Sequence, residues 1–323
     1  MDLWEPLWAR QEPILALAPM QDVTDLPFLR MISRYGGADL YFTEYFRVYA
    51  GSRLDKNILV SVTQNPTQRP IIAQLIGDLV PDLVRSAREL QAYPIAAVDL
   101  NLGCPAPVVY RKNAGGGLLR KPETVDAILG HLREAIPGRF SVKTRLGFAS
   151  EEEFDQLLPI FARHSLDLLT VHGRTVKGGY KSSVRYDLIA RAAATVKCPV
   201  LANGDITSAA KAREVLAQTG ARGLMIGRAA LANPWIFNQI RRELGGQPIP
   251  RITGSAIQAY LQDLYEAVGP PRMRPRVHIE KMKKYLNFVA PYWEPSDQFL
   301  YHARRMTTEA QFWELCTRYF AAL

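Results

Sequence analysis

Eight short apolar segments rich in β-forming residues recur along the chain, and helix-like stretches separate them. The segments lie at 14–20, 40–45, 71–77, 96–103, 140–147, 168–174, 200–206 and 223–229. Nearly continuous apolar strands that alternate with helices indicate a parallel sheet covered on both faces. Eight such units in about 230 residues match the size of a (β/α)8 TIM barrel. A doubly wound sheet is the alternative, but no GxGxxG sequence follows the first segment.

The pattern of the chain changes after residue 240. Segment 243–255 is rich in Gly and Pro and is typical of a linker. Apolar residues at helical spacing then predict helices over 255–268, 277–290 and 307–323. We therefore predict two domains, a TIM barrel over 1–245 and a small all-helical domain over 246–323.

Polar side chains occur at the carboxyl ends of nearly all the apolar segments. They are Gln21, Glu44, Gln74, Asn101, Cys104, Lys143, Arg145, His172, Arg174, Asn203, Asp205 and Arg228. Active sites of (β/α)8 barrels lie at that end of the strands, and a purely structural sheet does not need polar residues there. The pattern predicts an active site at the mouth of the barrel.

Glycine-containing sequences end the last two segments, ANGDI at 202–206 and MIGRA at 225–229. Barrels frequently bind phosphate at these two loops, where glycine lets backbone N–H groups approach an anion and Arg228 can fork onto phosphate oxygens. Tight turns that need glycine are the alternative explanation. We favour phosphate, and inorganic phosphate, a sugar phosphate or a flavin phosphate would each satisfy the pattern.

Four other strand-end residues have a functional and a structural interpretation. Lys143 inside an apolar barrel is costly unless an anion or an electron-rich ring pairs with it, whereas solvated cations are the alternative for Lys143 and Arg145. Gln74 can offer its amide to a heterocycle, or it is a polar residue of the rim. A single histidine such as His172 is more often a satisfied hydrogen-bonding residue than a catalyst.

Cys104 lies between a glycine and a proline in the sequence LGCPAP. The chain has three cysteines, which are far apart and form neither a CxxC pair nor a zinc-type cluster, so disulfides and a metal site are not expected. A nucleophilic thiol needs a nearby base, whereas an unperturbed thiol is protonated at neutral pH and can act as a general acid. A buried structural role suits Cys198 and Cys316 better than Cys104.

The formal net charge is +9, which favours a polyanionic partner such as nucleic acid. Segment 272–284 holds six Lys or Arg residues and one acid, and aromatic residues follow it. A solvated helix face usually explains such a run, but the neighbouring aromatic residues favour RNA. No apolar run approaches the ~18 residues of a membrane span and no signal peptide is evident, so we expect a cytoplasmic protein.

In order and spacing, the strand-end sequences resemble the tRNA-dihydrouridine synthases from about Leu15 to beyond residue 300. The matching sequences are LAPMQDVTD (17–25), FTEYFRV (42–48), AQLIG (73–77), DLNLGCP (99–105), VKTRLG (142–147), VHGRT (171–175), ANGDI (202–206), MIGRA (225–229) and, more weakly, MKKYL (282–286). The resemblance implies a flavin enzyme that uses FMN and NADPH to reduce a uridine of tRNA to 5,6-dihydrouridine.

The resemblance also implies roles for individual residues. Flavin contacts are expected at Pro19, Met20, Gln21, Gln74, Lys143, His172, Asn203, Gly204, Asp205, Gly227 and Arg228. Cys104 matches the proton donor to C5 of the uracil, whose C6 receives a hydride from reduced FMN. Asn101 and Arg145 match residues that hold the uracil. Contacts with tRNA are expected at Arg47, Lys281, Lys283, Lys284 and Arg304. Gly115–Gly117 is then expected to be the flexible far end of the Cys104 loop.

FTEYFRV and the basic C-terminal helix are most similar to the C-type subfamily, which modifies uridine 16. One departure is Pro107, where the family usually has a lysine, so Arg111 or Lys112 is expected to make that contact. Two alternatives remain: a small-molecule pyrimidine oxidoreductase of the dihydroorotate dehydrogenase kind, which needs no basic helical domain, and a non-catalytic RNA-binding barrel. We expect a monomer without a metal ion.

Overall fold

Parallel strands alternate with helices along the chain, as the apolar segments predict. The computed structural model describes residues 4–269, 273–293 and 297–320. The strands are β1 (Ile14–Leu17), β2 (Tyr41–Phe42), β3 (Phe46–Arg47), β4 (Ile71–Ile76), β5 (Ala97–Leu102), β6 (Phe140–Arg145), β7 (Leu168–His172), β8 (Val200–Asn203) and β9 (Gly223–Ile226).

Gly115–Arg120 forms a 3-10 helix, and α-helices occur before β1, between the strands and in the C-terminal region. They are α1 (Trp4–Ala9), α2 (Leu26–Arg34), α3 (Lys56–Thr63), α4 (Val80–Leu90), α5 (Pro107–Tyr110), α6 (Pro122–Ala135), α7 (Phe154–Arg163), α8 (Tyr186–Thr195), α9 (Ala209–Thr219), α10 (Arg228–Ala232), α11 (Ile236–Leu244), α12 (Gly254–Val268), α13 (Pro275–Trp293), α14 (Asp297–Arg305) and α15 (Glu309–Phe320).

The strands form one sheet in the order β1-β9-β8-β7-β6-β5-β4-β2, and β3 also pairs with β4. All these pairings are parallel. β2 lies within the second predicted segment, 40–45, and β3 follows directly after it. A bridge from Ala16 of β1 to Leu40, the residue before β2, brings the two ends of the sheet together. The sheet is therefore a nearly closed eight-unit barrel, and the predicted (β/α)8 fold is confirmed.

Alternate residues of β1 belong to different cores, as the two-residue period of a strand requires. Ile14 and Ala16 join a cluster inside the barrel, whereas Leu15 and Leu17 pack in the layer between strands and helices. Trp4 of α1 belongs to the interior cluster, which also holds Leu168, the first residue of β7. Helix α1 thus covers the amino-terminal end of the barrel and leaves the carboxyl end for the cavity described below.

Helices α12–α15 follow the barrel, and α12 and α13 pack against its helices. α12 packs against α2, and α13 packs against α10. The Tyr285 hydroxyl of α13 donates a hydrogen bond to the carbonyl oxygen of Val23 at 3.1 Å. Helix α13 therefore lies directly on the loop that follows β1.

Two parts of the predicted C-terminal elements lie outside the described residues: Arg272, which begins the basic run, and 321–323, which end the predicted helix 307–323. The division into domains at residue 245 stays a prediction. Within the described ranges, no helix combines the length and the apolar character needed to cross a bilayer.

Candidate active site

A cavity of about 780 Å³ opens at the carboxyl ends of the strands. The predicted site residues that line it are Pro19, Met20, Gln21, Asn101, Cys104, Lys143, Arg145, His172, Asn203, Gly204, Asp205, Gly227 and Arg228. Phe288 and Tyr292 of α13 form part of its wall. The fold thus brings together residues that the sequence spreads over more than 200 positions, because the ends of parallel strands meet at one edge.

Lys143 is a cation on the wall of this cavity. Its Nζ donates a hydrogen bond to Asn203 Oδ1 at 3.3 Å, and Asn203 Nδ2 in turn donates to the carbonyl oxygen of Met225 at 2.7 Å. Burial, reinforced by the charge of Arg145, lowers the pKa of Lys143 to about 8. A ligand with negative charge or an electron-rich edge would relieve the cost of burying this ammonium group.

His172 and Gln21 each place a polar side chain in the wall of the cavity. His172 Nε2 and Gln21 Oε1 are buried and have no hydrogen bond from the described residues. Burial, together with the charges of Arg145 and Lys143, lowers the pKa of His172 well below its usual value, so the imidazole is neutral. Unsatisfied buried polar atoms are uncommon in native proteins, and a ligand with hydrogen-bonding edges would satisfy these two.

The loops after β8 and β9 form the polar end of the cavity. Arg174 holds both carboxylate oxygens of Asp205, with Nη1 at 3.0 Å from Oδ1, and Arg228 Nη2 lies 3.4 Å from Oδ1. Two guanidinium groups against one carboxylate leave a net positive charge. Gly204 has a φ of +128°, a conformation that side chains rarely adopt. The predicted phosphate site therefore has a glycine on the loop after β8 and a net positive charge, to which Arg174 of the loop after β7 contributes.

Cys104 is partly buried on the loop after β5, against a small apolar cluster that includes Tyr45, Ile76 and Val109. Burial raises the pKa of its thiol, although Arg145 and Lys143 oppose the shift. The group is therefore protonated at neutral pH. Its backbone N–H donates to Asn101 Oδ1 at 2.9 Å.

The expectation that Gly115–Gly117 is flexible is wrong. All three glycines are buried in the 3-10 helix. Gly115 has a φ of +55°, and a Cβ atom there would lie 3.0 Å from Cys104 Cβ. Because glycine has no side chain, the 3-10 helix and the Cys104 loop can pack closely against each other.

Arg145 is only 2% exposed and bonds mainly to backbone. Its Nε donates to the carbonyl oxygen of Gly103 at 3.0 Å, and its Nη1 donates to those of Thr175 and Gly179, both at 2.9 Å. Arg145 therefore ties the Cys104 loop to the loop after β7, and its contact with uracil stays a prediction.

Tyr180, on the loop after β7, is a cavity residue that the sequence patterns did not indicate. Its ring centroid lies 4.2 Å from Arg228 Cζ and 5.5 Å from Arg145 Cζ, and the residue lines the cavity while 52% exposed. The sequence does contain a sign of this residue: KGGYK places an aromatic side chain in a glycine-containing loop after a strand. Tyr180 is a flat ring at the mouth of the cavity.

Gln74 lies beneath the cavity, fully buried. Its Nε2 donates to Asp99 Oδ2 at 2.7 Å, and its Oε1 accepts from Asn101 Nδ2 at 2.8 Å. Asp99 was also missed, although an acid within an apolar strand segment is a recognisable anomaly. Burial raises the pKa of Asp99 to about 6, against the effect of its hydrogen bonds.

The residues predicted to bind tRNA have different environments. Lys281 pairs with Asp25 at 3.0 Å and Lys283 pairs with Glu280 at 2.7 Å. Lys284 and Arg304 are exposed. Arg47 is exposed as well, with its Cζ 5.7 Å from the ring centroid of Tyr45, which lines the cavity. Among the described residues, no cluster of three or more His, Cys, Asp or Glu could hold a metal ion.

Comparisons with known proteins agree with this architecture. Structurally, the chain is similar to a histamine dehydrogenase from Rhizobium sp. 4-9, with a TM-score of 0.54 and 12% identity over 71% of this chain and 45% of that one. At this level of identity the likeness shows the fold alone.

In sequence, the chain is 35% identical over 208 residues to tRNA-dihydrouridine synthase B of Escherichia coli (strain K12), a match that covers 62% of this chain and 63% of that protein. The match therefore spans slightly less than two thirds of that relative. The Yersinia pestis protein of the same name is 32% identical over 292 residues, 88% of this chain and 89% of its own. The model of the dihydrouridine synthase (Dus) family matches residues 16–310. The chain therefore belongs to the dihydrouridine synthase family, as the resemblance of its motifs predicts.

Proposed function

We propose that this protein is an oxidoreductase that reduces a uridine of tRNA to 5,6-dihydrouridine with a flavin cofactor. Family membership and the names of the Escherichia coli and Yersinia pestis relatives support this activity. The observation that carries the proposal is a partly buried thiol, Cys104, in one cavity with Lys143, Arg145 and His172.

We propose FMN as the flavin and NADPH as its reductant. The net positive loops at Asp205 suit the single phosphate of FMN. Lys143 and the unpartnered polar atoms of His172 and Gln21 suit the polar edge of its ring system. We therefore assign flavin contacts to the cavity residues predicted from the sequence. The chemistry that the reduced cofactor supplies in this cavity is a hydride for C6 of the uracil.

Cys104 completes the reduction in this proposal. The C5=C6 double bond takes up one hydride at C6 and one proton at C5, and the Sγ–H bond of Cys104 supplies that proton. The raised pKa of the thiol keeps it in the donating form at neutral pH. The thiolate left behind regains its proton from solvent. Lys143 and Arg145 stabilise negative charge that develops on the uracil carbonyl groups.

The substrate base reaches this cavity only after leaving its stack in the folded RNA. Tyr180 offers an exposed ring at the mouth on which a base can stack. We propose that Asn101 and Arg145 hold the uracil, and that Arg47, Lys284 and Arg304 contact phosphates. Lys281 and Lys283 can join them only at the expense of their ion pairs. The net charge of +9 favours the encounter with tRNA.

Three finer points belong to the same proposal. We propose uridine 16 as the target, on the similarity of FTEYFRV and the basic helix to the C-type subfamily. We propose a monomer with a catalytic barrel over 1–245 and a tRNA-binding helical domain over 246–323. A tRNA substrate is consistent with the cytoplasmic location that the sequence predicts.

The test uses the purified full-length protein and unmodified tRNA transcripts. The protein should be yellow and release FMN on denaturation, and NADPH oxidation should depend on tRNA. Mass spectrometry of the product should show a mass gain of two hydrogens at position 16. Cys104→Ala should retain flavin but form no dihydrouridine.

Three outcomes would overturn parts of this proposal. A protein that never binds flavin would overturn the activity. Reduction of a free pyrimidine without a need for tRNA would favour the dihydroorotate dehydrogenase kind of enzyme. Dihydrouridine at another position would overturn the subfamily assignment alone.

A further inference from the structure

A continuous chain of hydrogen bonds runs beneath the cavity to the thiol loop. Ser141 Oγ donates to Asp99 Oδ1 at 2.6 Å, and Gln74 Nε2 donates to Asp99 Oδ2 at 2.7 Å. Asn101 Nδ2 donates to Gln74 Oε1 at 2.8 Å. The backbone N–H groups of Gly103 and Cys104 donate to Asn101 Oδ1 at 3.0 and 2.9 Å.

Every side chain in this network is buried. Asp99, Gln74 and Ser141 have no exposed surface, and Asn101 is 7% exposed. Water does not reach Asp99, Gln74 or Ser141 to exchange with these hydrogen bonds. A wrongly oriented amide would therefore leave buried polar atoms unpaired, which is unfavourable because water cannot take the place of the lost partner.

Asp99 at one end of the network and the backbone N–H groups of the Cys104 loop at the other determine the orientation of the Gln74 and Asn101 amides. An ionised carboxylate only accepts hydrogen bonds, so Asp99 requires the NH2 group of Gln74. The Gln74 oxygen then faces Asn101, which must present its own NH2 group. The oxygen of Asn101 is left for the loop, where the two backbone N–H groups can only donate. Only one orientation of each amide satisfies both ends.

We propose that Asp99 is a positioning residue for Cys104. Its carboxylate orients the Gln74 and Asn101 amides, and through them it holds the backbone that carries the thiol. The catalytic consequence rests on the proposed role of Cys104 as proton donor. The structural consequence, an ordered Cys104 backbone, does not depend on which reaction the protein performs.

A swap of charge between the two ends of the network tests the proposal. Asn101→Asp keeps an acceptor for the loop N–H groups, but it places Gln74 between two carboxylates, and one amide contact fails at a pH where both carboxylates are ionised. Adding Asp99→Asn removes the conflict, since the new amide at position 99 can donate to the Gln74 oxygen while Gln74 donates to the new carboxylate at position 101. The double variant reverses the direction of both inner hydrogen bonds and still satisfies the loop.

The readouts are hydrogen exchange of the peptide that spans Gly103 and Cys104, and the alkylation rate of Cys104 followed by peptide mass spectrometry. Asn101→Asp should accelerate both by about ten-fold, the effect of one buried hydrogen bond lost. The double variant should return to within about two-fold of wild type, a coupling expected only of residues in one network. Asp99→Asn alone should accelerate both several-fold, because its neutral amide no longer fixes the direction of the network.

Ser141→Ala is the matched control, since it removes one hydrogen bond to Asp99 without changing which group accepts. It should leave Cys104 alkylation close to wild type. If Asn101→Asp does not fold alone, recovery of folded protein in the double variant is the same rescue. A double variant as exposed or as poorly folded as Asn101→Asp, or a Ser141→Ala variant as reactive as Asp99→Asn, would overturn the proposal. None of these readouts uses tRNA, so a failure of the proposed function would show separately.

Discussion

The backbone N–H of Gly116 donates a hydrogen bond to the carbonyl oxygen of Cys104 at 3.2 Å. Because Asn101 accepts from the N–H of the same cysteine, both backbone polar groups of Cys104 are engaged. The thiol is therefore held from two sides, by a side chain of β5 and by the buried 3-10 helix. Neither contact involves the sulfur atom, which stays available for chemistry.

Gly116→Ala is expected to displace the Cys104 loop. The added Cβ would lie 2.4 Å from Val176 Cγ2 and 2.9 Å from the carbonyl oxygen of Cys104. Overfilling of this kind costs about 1–3 kcal/mol of folding free energy, and dihydrouridine formation should fall with it. Urea unfolding and a tRNA assay measure both effects. Gly138→Ala, where no atom lies within 4 Å of the new Cβ, is the control, and equal behaviour of the two variants would contradict the prediction.

Uridine reduction by pre-reduced enzyme should be lost at alkaline pH. A proton donor works only while protonated, and burial raises the pKa of Cys104 above that of an ordinary thiol. The rate should therefore hold through neutral pH and fall above the usual thiol range. Lys143, whose pKa is about 8 without a bound flavin, also loses its charge at alkaline pH. Single-turnover rates of wild type and Cys104→Ser separate the two groups, since only the Lys143 limb remains in the serine variant.

Lys143→Met is expected to stabilise the flavin-free protein and weaken its hold on flavin. A pKa lowered from 10.5 to about 8 means that the charged form is disfavoured in the folded state. Each pKa unit corresponds to about 1.4 kcal/mol. The wild type should gain stability as pH rises from about 8 toward the unfolded value, because the unfolded chain then binds more protons, and the variant should not. Melting temperatures across pH and flavin titrations test this, and a variant that is less stable at pH 7 would contradict it.

Lys281→Ala should lower the stability of the fold, whereas Lys284→Ala should weaken only the binding of tRNA. Lys281 pairs with Asp25, the residue that caps α2, so its loss should lower the melting temperature and disturb the loop after β1. Lys284 is exposed and makes no ion pair with the described residues. Its loss should leave the fold intact and reduce the salt dependence of tRNA binding by about one phosphate contact. Binding measured at several salt concentrations, beside thermal melts, distinguishes them, and the reverse pattern would contradict the assignment.

The sequence predicts the barrel and most of the cavity because both follow from local patterns. Apolar strands end in polar residues, and parallel strands bring those ends to one edge, so Cys104, Lys143 and His172 meet without any knowledge of their contacts. The two ends of helix α9 are also determined by neighbouring residues. The Ser208 side chain accepts a hydrogen bond from the backbone N–H of Lys211, and Gly220 ends the helix with a φ of +60°.

Contacts between distant segments could not be predicted in this way. A basic helix face does not reveal that Lys281 has a partner 256 residues earlier in Asp25. A run of glycines in a sequence suggests a flexible segment, because the sequence does not show which atoms pack against the glycines. In the structure, the side chain of Val176 packs against Gly116. The direction of the Asp99 network depends on which atoms face each other, and a sequence carries no such information.

The contacts of α13 with the loop after β1 affect how the protein is made. Val23 receives the hydroxyl of Tyr285, and Asp25 receives the ammonium of Lys281, across more than 250 intervening residues. During synthesis the barrel strands emerge from the ribosome long before α13 does. The first-strand loop on the cavity rim therefore gains these two hydrogen bonds only near the end of translation. A nascent chain that stalls earlier can contain all its strands and still lack a finished cofactor pocket.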